Sequence, residues 1–320
     1  EFAMFMGPAL VKWQRGETLY SIRCIPLGGY CAMEGEDTDT DNPRSFQKAA
    51  WWKRLIILVA GAAMNFVAGV ALIGIVYAPA EVFITPVISI VEEGCSLAEG
   101  NGIQVGDRLL ELDGEKIYLN SNVSFFLSFS EDGTHDITVE RDGQLIEFQN
   151  FEMGHTHENE DGSTYRHYGI RIGSVKEATL GDKLAYVWYN VVDNVRMVRV
   201  SLQMLFSGQA GLQDMSGPVG IVSQMSEIAE ASESAYYAFL NLLSVCAFIA
   251  INLAVMNLLP IPALDGGRIV ALLITVVIEK LIGRKIDPKY EGYLHGAGMI
   301  LLLGLMAIIM FKDVFVILKG

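Results

Sequence analysis

The chain has 320 residues, 52% of them hydrophobic and 19% charged, with a net charge of −14 and a mean hydropathy of +0.36. Soluble globular chains average about 45–50% apolar and about 25% charged residues, so the apolar excess here has to be located. An acidic balance without clustered Lys and Arg excludes a nucleic-acid surface, and Cys24, Cys31, Cys95 and Cys246 form neither a C-x-x-C pair nor a disulfide framework.

Residues 1–33 are rich in β-branched and aromatic residues, and Gly28 and Gly29 supply a turn or bulge. Residues 1–54 are therefore expected to form a β loop region and a linker, with an acidic, proline-containing loop before residue 47. Residues 55–77 carry no charge and are long enough to cross a bilayer, which takes about 20 residues of helix. A transmembrane helix is predicted over 55–78. Within it, Gly61, Ala62, Ala63 and Gly69 allow close helix approach, and Asn65 is a polar group that needs a partner in hydrocarbon.

The pattern changes after residue 86. Short β-rich runs separated by Gly, Asp and Asn, with one short helical stretch near 119–129, predict a small extracytoplasmic domain over 86–175. Residues 180–206 are amphipathic, with Asp193, Arg196 and Arg199 interrupting the apolar run. Residues 180–235 are expected to hold juxtamembrane helices and a loop, lying on the membrane surface or against the spans. A second uncharged run covers 238–263 and predicts a transmembrane segment over 238–267. A connection over 268–290 and a last transmembrane helix over 294–318 complete the chain.

Charge sets the expected orientation. Lys48, Lys53 and Arg54 precede the first span, and Arg268, Lys280, Arg284, Lys285 and Lys289 follow the second. The positive-inside rule places both flanks in the cytoplasm. Residues 81–235 hold 25 of the 37 acidic side chains but 9 of the 23 basic ones, and fall outside.

The stretch that carries chemistry runs from Asn257 through Pro260 and Pro262 to Asp265, Gly266 and Gly267. Two prolines remove backbone donors and open the helix. Irregular backbone at membrane depth is tolerated only inside protein or beside a water-filled cavity. Asp265 is thus an ionisable group on a broken, buried segment, which is a functional hypothesis by default. A helix-capping Asp at a membrane boundary is the plainer alternative.

N-x-x-P-x-P-x-L-D-G-G at 257–267 resembles the second signature of the site-2 proteases, the intramembrane zinc metalloproteases. The match continues elsewhere. Ile25-Pro26-Leu27-Gly28-Gly29-Tyr30 looks like that family's membrane-entering β loop, and residues 61–65 look like the start of its second helix. Residues 216–221 are similar to the loop before its third helix, and 102–114 resemble the glycine-aspartate run of bacterial PDZ domains. With one PDZ-like domain, the chain resembles a bacterial regulator-of-sigma-E-type protease. The resemblance implies a polytopic α-helical membrane protein with a membrane-associated β region and an inserted extracytoplasmic PDZ-like domain. It also implies Zn2+ as cofactor, Asp265 as a metal ligand, and Asn252, Asn257, Gly28 and Gly29 as substrate-binding residues. The implied activity is regulated intramembrane proteolysis, by a metalloendopeptidase, of transmembrane protein or peptide substrates such as anti-sigma factors or signal-peptide remnants. The setting is the lipid bilayer of a bacterial cell membrane, crossed several times.

The family's first signature, H-E-x-x-H, is absent from these residues. In that motif two histidines one helical turn apart bind zinc and the glutamate serves as general base. Glu1-Phe2 aligns instead with the strand that follows the family's first helix. His155 and His157 sit among acidic residues and read as solvated loop. His135 and His167 read as peripheral, and His295 as interfacial before the last span. The catalytic motif is therefore expected upstream of Glu1, and the chain as given is expected to be inactive by itself. A non-catalytic, PDZ-bearing membrane scaffold is the rival reading. It accounts for the missing motif but not for the proline-broken setting of Asp265.

Overall fold

A computed structural model describes residues 1–35, 42–91, 102–127, 133–152, 155–158, 164–209, 211, 215–283 and 289–319. Cys95, Arg284 and Lys285 lie outside the described residues. The chain divides into two units, residues 1–65 with 215–219 and 253–320, and residues 66–214 with 220–252.

In the first unit, strands β1 (Phe2–Arg15) and β2 (Thr18–Cys31) pair with each other. Ala9–Arg15 of β1 pairs with Thr18–Arg23 of β2. Phe2, Ala3 and Met4 pair with Tyr20, Ser21 and Ile22 on one side and with Cys31, Tyr30 and Gly29 on the other. The reversal is possible because β1 changes direction at Phe5 and Gly7, both with positive φ, and Gly28 does the same in β2 at φ +61. Two outer edges result among the described residues, one along 9–15 and one along 29–31. Phe2, Met4, Met6, Leu10, Val11, Trp13 and Ile25 are all exposed.

Helix α1 (Trp51–Tyr77) follows a short 3-10 turn at Phe46–Lys48. Phe46, Leu58 and Leu272 form a small core with Met33, Leu55, Ile269 and Val276 around it. Leu272 belongs to α6 (Asp265–Ile282), an 18-residue helix where the sequence suggested only a connection. Many of the residues after its opening glycines are β-branched and only moderate helix formers, yet the apolar spacing at 269, 272 and 276 turns one face into the core, and tertiary packing wins. The last helix, α7 (Lys289–Lys319), also belongs to this unit.

The second unit is built on a sheet of β3 (Val82–Val91), β4 (Arg108–Leu112), β5 (Glu115–Lys116), β6 (Thr134–Arg141), β7 (Gln144–Glu152) and β10 (Ile170–Glu177), in the order β10-β3-β4-β6-β7 with β5 beside β4. Strands β8 (His155–Glu158) and β9 (Thr164–His167) make a separate pair, so His155 and His157 stand on a strand rather than in a loop. Helix α2 (Asn120–Leu127) covers the core of Ile88, Ile103, Leu109, Leu112, Val123, Phe126, Ile137 and Val139. Each such side chain contributes roughly 1.5–3 kcal/mol by leaving water.

One ion pair inside this core follows from the glycine-aspartate run. Asp107, 1% exposed, accepts hydrogen bonds from Arg141 Nε and Nη2, both at 2.7 Å, and from Gln104 N–H at 2.8 Å. Arg141 Nη2 also donates to Gly102 O, so the guanidinium ties the 102–107 turn to β6. The sequence reading placed His135 at the periphery. It is instead fully buried, with Nδ1 2.6 Å from Asp113 Oδ2, because His135 falls on the inward register of β6.

Helix α3 (Leu180–Ser207) starts at a capping box, in which Thr179 and Asp182 satisfy each other's backbone N–H groups, and ends at the left-handed Gly208. Part of its buried face packs on the β domain. Val200 and Met204 join the domain core, and Arg196 lies over the rings of Tyr118 and Phe126 while bonding Asp193 and Lys116 O. Helices α4 (Pro218–Glu230) and α5 (Ala235–Asn257) follow. Gly69 of α1 meets α5 so closely that a Cβ there would stand 2.5 Å from Ile251.

Among the described residues, three helices are long and apolar enough to cross a membrane, at Trp51–Tyr77, Ala235–Asn257 and Gly292–Val316. The β sheets and these spans agree with a membrane protein that carries a β region.

Candidate functional site

Asp265 is the first residue of α6, and the helix faces explain where its carboxylate goes. Residues 265, 269, 272 and 276 share one stripe of α6 at helical spacing. Ile269, Leu272 and Val276 of that stripe pack with Leu55 and Leu58 of α1. Continuing along both helices brings Asp265 to Gly61, where a Cβ would lie 3.8 Å from Asp265 Oδ2. Gly61 is thus a small position where α1 meets this carboxylate, and the neighbouring Ala62 is buried, 1% exposed.

The turn that delivers Asp265 is tightly wound. Ile261 N–H donates to Leu259 O, Leu264 N–H to Ile261 O, and Arg268 N–H to Leu264 O. A Cβ on Gly266 would meet Leu259 O at 2.2 Å and Leu258 O at 2.3 Å, and one on Gly267 would meet Ile261 O at 2.3 Å. Both positions demand glycine, since no side chain fits where the turn folds back on the helix.

Helix α7 touches the same turn. His295, 8% exposed, accepts the Ala263 N–H at Nδ1 over 3.1 Å. One turn further on, a Cβ at Gly298 would stand 2.5 Å from Pro262 O. His295 is thus a packed element of the Asp265 turn. A lone titratable side chain at the start of an apolar helix was the available signal, because such groups in membrane helices normally have a partner. Near the other end of α7, Asp313 Oδ2 accepts the Gly217 N–H at 2.8 Å, and Lys312 Nζ bonds Met215 O. The 215–217 loop is therefore held by two charged residues, 4% exposed in the case of Asp313.

The remaining candidates fall on two elements. Asn252 and Asn257 lie on α5, five residues apart and so about 140° apart around the helix. The buried Oδ1 of Asn252 has no hydrogen-bond partner among the described residues, which leaves an acceptor available. Gly28 and Gly29 are exposed near the outer edge of the first sheet. Gly29 lies so close to β1 that a Cβ would stand 2.7 Å from Ala3 O.

As a metal site the arrangement supplies a single donor. Zinc accepts carboxylate oxygen together with His and Cys ligands, normally three protein ligands in a catalytic site. Among the described residues no group of three His, Cys, Asp or Glu side chains could hold a metal. Beside Gly61, the Asp265 carboxylate is one oxygen donor of a kind zinc accepts, and the described residues supply no complete ligand set around it.

Comparison with known proteins carries the same sense. Peptidase family M50 matches residues 1–305. A Clostridium acetobutylicum protein named as a candidate zinc metalloprotease is 31% identical over 98% of this chain and 88% of its own length. A Clostridium perfringens protein of the same designation is 32% identical over 98% and 89%. The regulator of sigma-W protease RasP of Bacillus subtilis is 24% identical over 98% and 90%. With the match running from the β region to the last span, the chain belongs to peptidase family M50, that of the site-2 proteases.

Proposed function

We propose that this chain forms the substrate-binding and zinc-binding body of an intramembrane metalloendopeptidase in a bacterial cell membrane. Asp265 is its metal ligand, and an H-E-x-x-H outside these 320 residues supplies the other ligands and the general base. The observation that carries this is the placement of Asp265: an acidic group beside Gly61 on a proline-broken turn, in a chain whose relatives are named zinc metalloproteases. When bound, zinc polarises a carbonyl and lowers the pKa of its water towards about 7.

The chain's own residues position the substrate. A membrane-spanning helix resists hydrolysis because its backbone is internally paired, so it must be held extended. The outer edge along 29–31, next to Gly28 and Gly29, presents backbone groups that can add such a segment as a further strand. Asn257 binds backbone amides of the same segment, and Asn252 offers its available acceptor to substrate. The domain of β3–β10 is the PDZ-like element, extracytoplasmic, where it restricts or docks substrates. The basic flanks at Lys53, Arg54 and Arg268 face the cytoplasm. The substrates are transmembrane segments of other membrane proteins, among them anti-sigma factors or signal-peptide remnants.

The test is cleavage of a peptide with one membrane-spanning segment by the full natural protein in proteoliposomes. Cleavage should stop on chelation and return with zinc. No cleavage of any such segment, with peptide binding retained, would favour the non-catalytic scaffold.

A further inference from the structure

We propose that His295 is a positioning residue for Asp265, acting from α7 through the backbone of the 258–264 turn. The inference rests on the reading of Asp265 as a metal ligand. Ala263, two residues before Asp265, has φ +86, a left-handed conformation that a residue with a Cβ adopts at a cost. Such a conformation persists only where the surroundings over-determine it. Here the surroundings are explicit. The Ala263 N–H is bonded to His295 Nδ1, and Pro262 is pressed against Gly298 on the same face of α7. On the other side, Leu258, Leu259 and Ile261 carbonyls crowd Gly266 and Gly267. The turn is therefore gripped between α7 and the start of α6, and the grip fixes where α6 begins. Losing the His295 acceptor releases Ala263 towards ordinary φ, and Asp265, two residues on, loses its register with Gly61.

His295 thus touches neither substrate nor metal in this role. Its function is to accept one backbone N–H at a strained position. That predicts an unusual substitution pattern. His295→Asn should be tolerated, because Asn Oδ1 lies near the place of Nδ1 and accepts the same N–H. His295→Ala should not. Ala263→Gly should rescue His295→Ala, since glycine occupies positive φ without strain.

The experiment uses the full natural protein in detergent, with two readouts. Amide exchange over 258–268 is measured on chelator-treated protein, and zinc affinity by competition with a chromophoric chelator. His295→Ala should speed exchange in that segment and weaken zinc by roughly ten- to a hundredfold, the size expected when a strained left-handed conformation is no longer held in place. His295→Asn should stay close to wild type in both, and the His295→Ala/Ala263→Gly double variant should recover most of the loss. Unchanged exchange in His295→Ala would overturn the proposal. So would faster exchange with undiminished zinc affinity, or a loss that neither Asn nor Ala263→Gly repairs. Zinc affinity unchanged in Asp265→Asn would overturn the metal-ligand reading instead, and the metal-free exchange data would still report on His295 and the turn.

Discussion

Replacing Asp107 by Ala should loosen the β domain of the second unit more than any surface change. Asp107 is buried, and three hydrogen bonds converge on it from Arg141 and Gln104. Truncation leaves the guanidinium of Arg141 facing a cavity, partly buried and still bonded to Gly102 O. Breaking one side of a buried ion pair costs about 3–5 kcal/mol, against a total of about 5–15 kcal/mol for a domain. At about 1.4 kcal/mol per tenfold, amide exchange in Arg108–Leu112 and Thr134–Arg141 should accelerate roughly a hundredfold to a few thousandfold. Hydrogen exchange on the full chain reads this directly, with α7 amides as an internal control. Asp107→Ala combined with Arg141→Met should recover part of the loss, because the uncompensated charge is gone. Acceleration below about threefold in both strands would refute the assignment of the pair as the domain's main polar anchor.

Gly61→Ala should be tolerated, since its Cβ meets Asp265 Oδ2 at an ordinary 3.8 Å, whereas Gly61→Val should lower metal binding at least about tenfold by intruding on the carboxylate, as a zinc titration would report. Gly217→Ala should destabilise the unit by about 1–3 kcal/mol, because its Cβ would stand 2.9 Å from Asp313 Oδ2 and 3.1 Å from Ile309, and detergent thermal unfolding should show the shift. Asp182 titrates at about 2 rather than 3.8, chiefly through its bond to Lys176 and then those to Thr179. Its pKa is lower in the folded chain, so its stabilisation is complete above about pH 4 and fades as the pH falls towards 2. Protection of the first turn of α3 should follow that course, and Asp182→Asn should abolish the pH dependence.

The local signals in this sequence were strong where a single element decides the outcome. Uncharged runs marked the spans, β-rich runs with glycine and aspartate punctuation marked the sheet of the second unit, and the paired prolines marked the turn before Asp265. What sequence reading missed depends on which residues meet across the fold. Helix α6 was read only as a connection, since its many β-branched residues give a weak helix signal and the packing of its 269, 272 and 276 face decides the matter. His135 looked peripheral because its neighbours along the chain are polar, while the register of β6 turns it inward. His295 and Asp313 looked like the ends of a span, and only the return of the 258–264 turn and the 215–217 loop to α7 gives each a backbone N–H to accept. The slot at Gly61 was legible as a small-residue position, but not as the neighbour of Asp265, more than 200 residues away in the chain.

The central claim is that Asp265 is a protein ligand of a catalytic zinc. Asp265→Asn preserves the shape of the side chain while replacing a carboxylate by a much weaker ligand. Zinc content and cleavage of a membrane-spanning peptide should therefore be measured together, on the full natural protein and on the variant. The account predicts that both fall steeply in Asp265→Asn, that His155→Ala and His157→Ala leave both unchanged, and that the 320-residue chain holds no stoichiometric zinc by itself. Full zinc occupancy and full cleavage in Asp265→Asn would contradict it.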